Sequence, residues 1–152
     1  MNSLKTEGLM KLCFSILVVL FSLPVVGQDE NLVDWKFSLN EEGTALEIEA
    51  KIKDTWVIYS QHTDPEGPIP LEFEFTEITG AELSGVVEEL TAPMSEMSEM
   101  FGVEVKKFKK SATFKQKLMP KDGDRHIKGM VTYMACDATK CLPPKTIPFE
   151  VK

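Results

Sequence analysis

Apolar and polar side chains alternate along most of the chain after residue 33. The segment ALEIEAKI, residues 45–52, places an apolar residue at every second position from Leu46 to Ile52, with charged residues between them. An extended strand turns successive side chains to opposite faces, so this period is typical of antiparallel strands with one buried face. No helical period of useful length and no internal repeat accompany it. The alternation therefore predicts an all-β fold.

Further alternating segments follow at short intervals. LEFEFTEI, SATFKQKL and HIKGMVTYM share the pattern, and turn-forming runs such as NEEGT, DPEGPIP, ITGAE, PKDGDR and LPPKT separate them. The residues predicted to face the core include Leu71, Phe73, Phe75, Ile127, Val131 and Tyr133. This spacing predicts eight or nine short strands and an immunoglobulin-like antiparallel β-sandwich. A length of 152 residues is enough for one such domain.

The first 27 residues have a different pattern. Two lysines precede an uncharged apolar run at residues 12–23, and small residues end the segment at Gly27. Such a run is too short for a permanent membrane anchor, and its order is typical of a cleaved secretory signal peptide. We therefore predict a cleaved signal peptide at 1–27, export to an oxidising compartment, and a single domain at 28–152. A buried core helix is the alternative interpretation of the apolar run.

Loss of this segment changes the charge and the cysteine content. It would remove Cys13 and a net charge of +1, leaving about −8 in place of the formal −7 of the whole chain. An acidic domain without a basic stripe is a poor match for nucleic acid or for anionic membranes. No second apolar run follows, so we expect no stable membrane insertion after cleavage.

Two cysteines remain, within the stretch TYMACDATKCLPPKT. Residues 131–135 read as a strand, and DATK can close a four-residue hairpin loop that places Cys136 opposite Cys141. Opposed residues of an antiparallel pair lie within the Cα separation that a disulfide tolerates. A double proline then removes two backbone donors and takes the chain out of the sheet. In an oxidising compartment such a pair usually forms a disulfide.

The residues alone leave the purpose of that bond open. Closing so small a ring stabilises the fold by about 2 kcal/mol in the loop-closure model, and a domain of this size can build a core without it. Structural and redox interpretations therefore have equal weight. His62 and His126 give no zinc-ligand spacing with the cysteines, so we expect no metal and no other cofactor.

The segment TAPMSEMSEMFG, residues 91–102, has neither alternation nor a helical face. It is either a loop that folds over another part of the molecule or a single helical turn, and such loops often carry function. Met94, Met97 and Met100 recur at every third position. Thioethers together with thiolates suit Cu(I), so an exported copper-binding chaperone is an alternative function. Adaptable packing over an apolar patch explains the methionines equally well.

The stretch TYMACDATKCLPPKTIPFEV resembles the active-site hairpin of the N-terminal periplasmic domain of DsbD, a membrane thiol:disulfide reductase. WVIYS resembles the aromatic strand of that family, and SEMFGVEVKKFKKSATFKQKL resembles its cap loop and the strands that follow. The resemblance covers nearly the whole chain after residue 27. It implies an immunoglobulin-like fold, in agreement with the alternation.

The resemblance also implies a function. Cys136 and Cys141 would cycle between dithiol and disulfide, Cys141 forming the mixed disulfide with a partner and Cys136 resolving it. Electrons would come from a membrane-embedded thiol reductase through a thioredoxin-like domain and pass to oxidised thiol proteins. Because the chain stops at Lys152, we expect that reductase to be a separate protein. Lys140 beside Cys141 would favour its thiolate, whereas Asp137 beside Cys136 would not.

Five residues match positions around the site in the family. Glu99 matches a cap acid, Met100 the shielding aromatic and Phe101 the next aromatic, so either Met100 or Phe101 would cover the disulfide. Trp56 and Tyr59 match the aromatic strand that lines the site, although ordinary core packing explains them too. A binding or adaptor module with an inert disulfide is a further alternative, which a reduction potential below about −300 mV would indicate.

Overall fold

The computed structural model describes residues 31–152, whose backbone follows antiparallel strands joined by turns. The predicted signal peptide and Cys13 lie outside these residues, and both remain predictions. Within residues 31–152 every regular element is a strand, and no helix is long and apolar enough to cross a membrane. The strands are β1 (Val33–Leu39), β2 (Ala45–Ile52), β3 (Val57–Tyr59), β4 (Glu72–Thr79), β5 (Ala81–Glu89), β6 (Met94–Met97), β7 (Glu104–Lys109), β8 (Ser111–Pro120), β9 (His126–Tyr133), β10 (Ala135–Cys136) and β11 (Lys145–Val151).

The strands form three hydrogen-bonded sheets. The first has the order β1-β2-β8-β5, the second β10-β3-β7-β6 and the third β11-β9-β4, and all pairs are antiparallel. Aromatic rings join the first sheet to the other two. The ring of Phe114 lies 5.5 Å from that of Phe108 in the second sheet, and Phe37 stacks 4.2 Å from Phe149 in the third. One core therefore fills the space between the first sheet and the second and third.

The predicted all-β architecture is confirmed, and so is the facing of its longer strands. Buried positions alternate with more exposed ones from Leu46 to Ile52 in β2 and over the whole of β9. Eleven strands are present in residues 31–152 instead of eight or nine. The short elements β3, β6 and β10 have only three, four and two residues, too few for a period of two to be recognised.

One predicted strand is divided. Residues 131–135 were expected to extend without interruption towards Cys136, but β9 ends at Tyr133 and β10 begins at Ala135. The break has a physical reason, because the chain changes partners there. β9 pairs with β4 and β11 in the third sheet, whereas β10 pairs with β3 in the second. This change of sheet at Met134 carries the cysteine hairpin onto the second sheet.

Candidate functional site

The hairpin that holds the cysteines is closed by a tight turn. The Asp137 backbone N–H donates to the Lys140 carbonyl at 2.9 Å. The Asp137 carboxylate oxygen Oδ1 accepts from the backbone N–H groups of Thr139 and Lys140, at 2.7 and 2.9 Å, and from the Thr139 hydroxyl at 2.8 Å. An aspartate that binds the backbone two residues later is a recognised turn former. These bonds lower the pKa of Asp137, with the Thr139 N–H as the largest cause.

The two cysteines face each other directly behind this turn. They form an antiparallel bridge and a disulfide, with their Cα atoms 4.0 Å apart. Hydrogen bonds flank the pair on both sides, at the Asp137 turn and from the Leu142 N–H to the Ala135 carbonyl at 2.9 Å. The cysteines thus occupy a non-hydrogen-bonded position, where opposed Cα atoms come closest in an antiparallel pair. The predicted placement of Cys136 opposite Cys141 is confirmed.

The two sulfur-bearing residues differ in exposure. Cys136 is 1% exposed, whereas Cys141 is half-buried. Cys136 pairs with Val57 of β3 and packs in a small apolar group that we call the site cluster. Its buried members are Val57, Tyr59, Val105 and Cys136, and its partly buried members are Phe101, Val103, Met134 and Cys141. A reagent from solution therefore reaches Cys141 more readily than Cys136.

The second sheet separates the site cluster from the main core. Val57 and Tyr59 of β3 belong to the site cluster, while Ile58 between them belongs to the core. The same division holds in β7, where Val105 is in the site cluster and Phe108 is in the core. Successive side chains of a strand point to opposite faces, which explains this division. The disulfide thus lies on the outer face of a sheet whose inner face is fixed by the core.

Residues 98–103, which we call the cap turn, connect β6 to β7 at this outer face. The Ser98 N–H donates to the Val103 carbonyl at 2.9 Å, and the Gly102 N–H donates to the Ser98 carbonyl at 2.8 Å. Gly102 has a φ of +73°, a left-handed conformation that glycine adopts without steric cost. The segment 91–102, interpreted from sequence as a loop or a helical turn, is therefore a short strand followed by a turn.

The tip of the cap turn lies against the disulfide. Met100 Sδ is 3.5 Å from Cys141 Sγ, and because a disulfide sulfur carries no hydrogen, this is a packing contact. The Phe101 ring meets the Tyr59 ring edge-on, with centroids 6.3 Å apart. The sequence left open whether Met100 or Phe101 lies over the disulfide. In the structure Met100 touches the sulfur, and Phe101 packs in the site cluster below it.

A cavity of about 430 Å³ lies between the cap turn and the outer face of the second sheet. Glu99 lines it and is exposed, next to Met100 and Phe101. Across β6 and β7, Glu96 forms an ion pair with Lys107 that lowers the pKa of Glu96. Burial raises the pKa of Tyr59, and the charge of Glu96 adds to that increase. The phenol is therefore neutral in the site.

Trp56 and Tyr59 occupy different environments. Tyr59 packs with Cys136 in the site cluster, whereas Trp56 packs against the main core. The Trp56 ring also lies under Lys140, whose Nζ is 5.9 Å from the ring centroid, within the range of a cation–π contact. The sequence predicts that Lys140 favours the thiolate of the neighbouring Cys141. In the structure its ammonium group lies over the Trp56 ring.

The methionines of the copper alternative do not converge. Met94 and Met97 lie on β6, and their odd separation points their side chains to opposite faces of the strand. Within residues 31–152 no group of three or more His, Cys, Asp or Glu side chains is arranged to hold a metal ion. Met100 is the member of the motif that contacts a cysteine.

The sequence reasoning missed several contributors to this site. Val57 and Val105, which bury Cys136, look like ordinary strand residues in sequence. The Glu96–Lys107 ion pair also has no local signal, because it depends on the register between β6 and β7. Asp137 did have a local sequence signal. An aspartate at the start of a tight turn between two strands commonly accepts hydrogen bonds from the backbone that follows it.

Comparison with known families places the chain. The family model described as thiol:disulfide interchange protein DsbD, N-terminal, matches residues 28–152. The chain belongs to this family. The cysteine hairpin and the cap turn should therefore be compared with those of DsbD N-terminal domains. A comparison with curated proteins found no match.

Solved structures agree with the fold of DsbD N-terminal domains. The reduced DsbD N-terminal domain of Neisseria meningitidis is 16% identical, with a TM-score of 0.59 over 80% of this chain and 85% of that one. The same domain in complex with the PilB N-terminal domain is 13% identical, with a TM-score of 0.59 over 84% of this chain and 88% of that one. These likenesses confirm the immunoglobulin-like sandwich.

A third structure belongs to a longer protein. The N-terminal periplasmic domain of ScsB from Proteus mirabilis is 18% identical, with a TM-score of 0.56 over 78% of this chain. The match covers 44% of the ScsB chain. The shared part is therefore the DsbD N-terminal fold and not the remainder of that chain.

Proposed function

We propose that this protein is an exported thiol–disulfide interchange domain that relays electrons between thioredoxin-fold partners through Cys136 and Cys141. One observation supports this most strongly. The disulfide lies at the tip of a hairpin on the outer face of a sheet, with one sulfur buried and the other half-buried under a short turn. A purely structural bond has no need of such an asymmetry. The family to which the chain belongs is one of thiol:disulfide interchange proteins.

The exposure of the two cysteines assigns their roles in this proposal. A thiolate of a reducing partner attacks Cys141 Sγ, the S–S bond breaks, and Cys136 leaves as a thiolate among the apolar residues of the site cluster. The second thiol of the partner then attacks the mixed disulfide and releases Cys141. Two electrons have passed to this domain, and the partner has become a disulfide.

The reverse sequence passes the electrons on. The Cys141 thiolate attacks the disulfide of an oxidised client, and Cys136 then resolves the mixed disulfide, which leaves the client reduced. No group other than the two thiols takes part, so no further cofactor is needed. The site cluster keeps Cys136 close to Cys141, so resolution is an intramolecular step.

A protein partner must displace or pass the cap turn to reach Cys141. In this proposal Glu99, Met100 and Phe101 are the residues that it meets first, while Tyr59 supports Phe101 from below. The DsbD N-terminal domain of N. meningitidis forms a complex with the PilB N-terminal domain, which supports a protein partner here. The predicted signal peptide and the periplasmic location of the ScsB domain support export to the periplasm.

A trapping experiment tests the assignment of roles. In the chain carrying Cys13→Ser, we expect Cys136→Ser to accumulate a mixed disulfide with a thioredoxin-fold partner through Cys141, because the resolving thiol is missing. The matched Cys141→Ser variant should capture little or none, since Cys136 is buried. Non-reducing electrophoresis and peptide mass spectrometry measure both. Capture through Cys136 alone would reverse the roles, and no capture by either variant would contradict the proposed function.

A further inference from the structure

Met100 places an oxidisable sulfur beside the disulfide. Its side chain is 51% exposed, and its Sδ lies 3.5 Å from Cys141 Sγ. Peroxides and hypohalous acids convert an accessible thioether into a sulfoxide. While Cys136 and Cys141 are joined, neither carries a thiol. In the oxidised protein the Met100 thioether is therefore an exposed, oxidisable sulfur in direct contact with the disulfide.

A sulfoxide at this position changes the contact itself. The new oxygen is bonded to Sδ, the atom that touches Cys141, and it makes an apolar side chain polar. A polar group held against apolar surface without a hydrogen-bond donor destabilises that arrangement. The contacted sulfur belongs to Cys141, which packs in the apolar site cluster. The closed position of the cap turn is therefore weakened, whereas the core beneath the sheet is not touched.

We propose that Met100 is an oxidation site whose conversion to the sulfoxide loosens the cap turn and speeds thiol exchange at Cys141. The step is balanced: the O–O bond of a peroxide breaks, an S–O bond forms at Sδ, the thioether loses two electrons, and water leaves. The inference rests on the proposed function, because it regulates that same site. It gives an oxidant a direct route to increase the rate at which this domain is reduced.

Met97 is the matched control in the same hairpin. It is 69% exposed and therefore at least as open to the oxidant, and it lies three residues before Met100. It lines the same cavity as Met100, but it is not a member of the site cluster, and the sulfur that touches Cys141 is that of Met100. Replacing each methionine by leucine keeps an apolar side chain of similar size and removes the sulfur.

The experiment uses the full chain with Cys13→Ser, in its disulfide form, and the same chain with Met97→Leu, Met100→Leu or Met100→Gln. Each protein is treated with hydrogen peroxide, and peptide mass spectrometry locates the sulfoxides. The rate of disulfide reduction is then measured with dithiothreitol and, separately, with thioredoxin. Far-UV circular dichroism checks that each variant is folded.

We expect peroxide to raise the dithiothreitol rate about three- to tenfold in the parent and in Met97→Leu, because a weakened cap turn is open for a larger fraction of the time. Met100→Leu should not respond. Met100→Gln, which is polar at the same place, should react faster without peroxide. The proposal is overturned if Met100 stays unoxidised while Met97 reacts, or if a confirmed Met100 sulfoxide leaves the rate unchanged.

The two reductants separate this inference from the proposed function. Dithiothreitol is small and needs no docking surface, so its rate reports on the cap turn alone. If thioredoxin reduces neither the treated nor the untreated protein while the dithiothreitol rate responds to peroxide, the relay function is wrong and the oxidation site stands. If thioredoxin reduces the untreated protein and peroxide changes neither rate, the relay function stands and the oxidation site is wrong.

Discussion

Asp137 is the residue whose side chain holds the turn between Cys136 and Cys141. It accepts three hydrogen bonds from Thr139 and Lys140, and these favour its charged form. An aspartate whose pKa is lower in the folded state than in the unfolded state stabilises the fold above the unfolded pKa, about 3.9. That contribution is lost as the pH falls through the lower, folded pKa. The turn is therefore held more firmly at neutral pH than in acid.

Replacing this carboxylate tests its charge. We expect Asp137→Asn to be less stable than the parent protein at neutral pH, with the difference shrinking below about pH 4 as the parent carboxylate is protonated. Thermal denaturation between acid and neutral pH measures the difference. Asp122→Asn, in the exposed loop between β8 and β9, is the control for the equal change in net charge. A gap that stays constant across the pH range would contradict the role of Asp137.

At the residue scale, the sequence predicts where a residue lies in the fold better than it predicts which neighbour its side chain contacts. That Cys136 faces Cys141 follows from the hairpin spacing, because each residue of a short antiparallel loop has a fixed partner. The direction of Lys140 does not follow, since a long side chain can reach several neighbours, and Trp56 is the one it meets. The contact of Met100 with Cys141 depends on how a turn folds back over a sheet, which no local pattern specifies.

Among the elements, the β6–β7 hairpin carries the turn that lies against the disulfide. Its strands are short, and β6 is exposed along its whole length. The cap turn is held by two backbone hydrogen bonds at Ser98, by the ion pair between β6 and β7, and by packing of its tip. An element with few buried contacts opens more readily than the sheet that carries it. The left-handed Gly102 makes this turn adjustable by a single substitution.

Gly102→Ala should loosen the cap turn without a clash. A Cβ at this position meets no heavy atom within 4 Å, so the cost, about 1 kcal/mol, comes from the left-handed backbone alone. We expect the disulfide to be reduced by dithiothreitol about fivefold faster, as the strained turn opens more often. Gly85→Ala is the matched control, because Gly85 has the same φ of +73° and the same open space on β5.

Both variants should lose similar stability in denaturant, while only Gly102→Ala changes the reduction rate. Equal reduction rates in the two variants would mean that the cap turn does not limit access to Cys141. A faster rate in Gly85→Ala would instead indicate that general loss of stability exposes the disulfide. The comparison therefore separates a local opening from a global one.

The strands show where an alternating pattern is informative. β2 and β9 are buried on one face over their full length, so the period of two identifies them. In β4 the register shifts between Phe75 and Glu77, and the apolar face resumes at Ile78. An extra residue of this kind changes the face on which later side chains lie. β6 forms through its pairing with β7 and not through burial, so its sequence carries no such period.

The whole molecule keeps the disulfide apart from the main core. The core draws on all three sheets, whereas Cys136 belongs to the small site cluster on the outer face of the second sheet. Hydrogen bonds hold the hairpin on both sides of the cysteines, and β10 pairs with β3 independently of the S–S bond. A relay domain has to remain folded in both of its redox states. This separation lets the bond open without removing a member of the core.

Reduction should therefore lower stability only modestly. We expect the free energy of unfolding to fall by about 2 kcal/mol when the disulfide is reduced, the entropy effect of opening so small a ring. Guanidinium denaturation of the Cys13→Ser chain with and without dithiothreitol measures this, and a Cys136→Ser/Cys141→Ser variant reports the same state without reductant. A single cooperative transition should persist in each case. Loss of that transition on reduction would show that the disulfide is required for folding. A domain that unfolds when it is reduced cannot transfer electrons to a second partner.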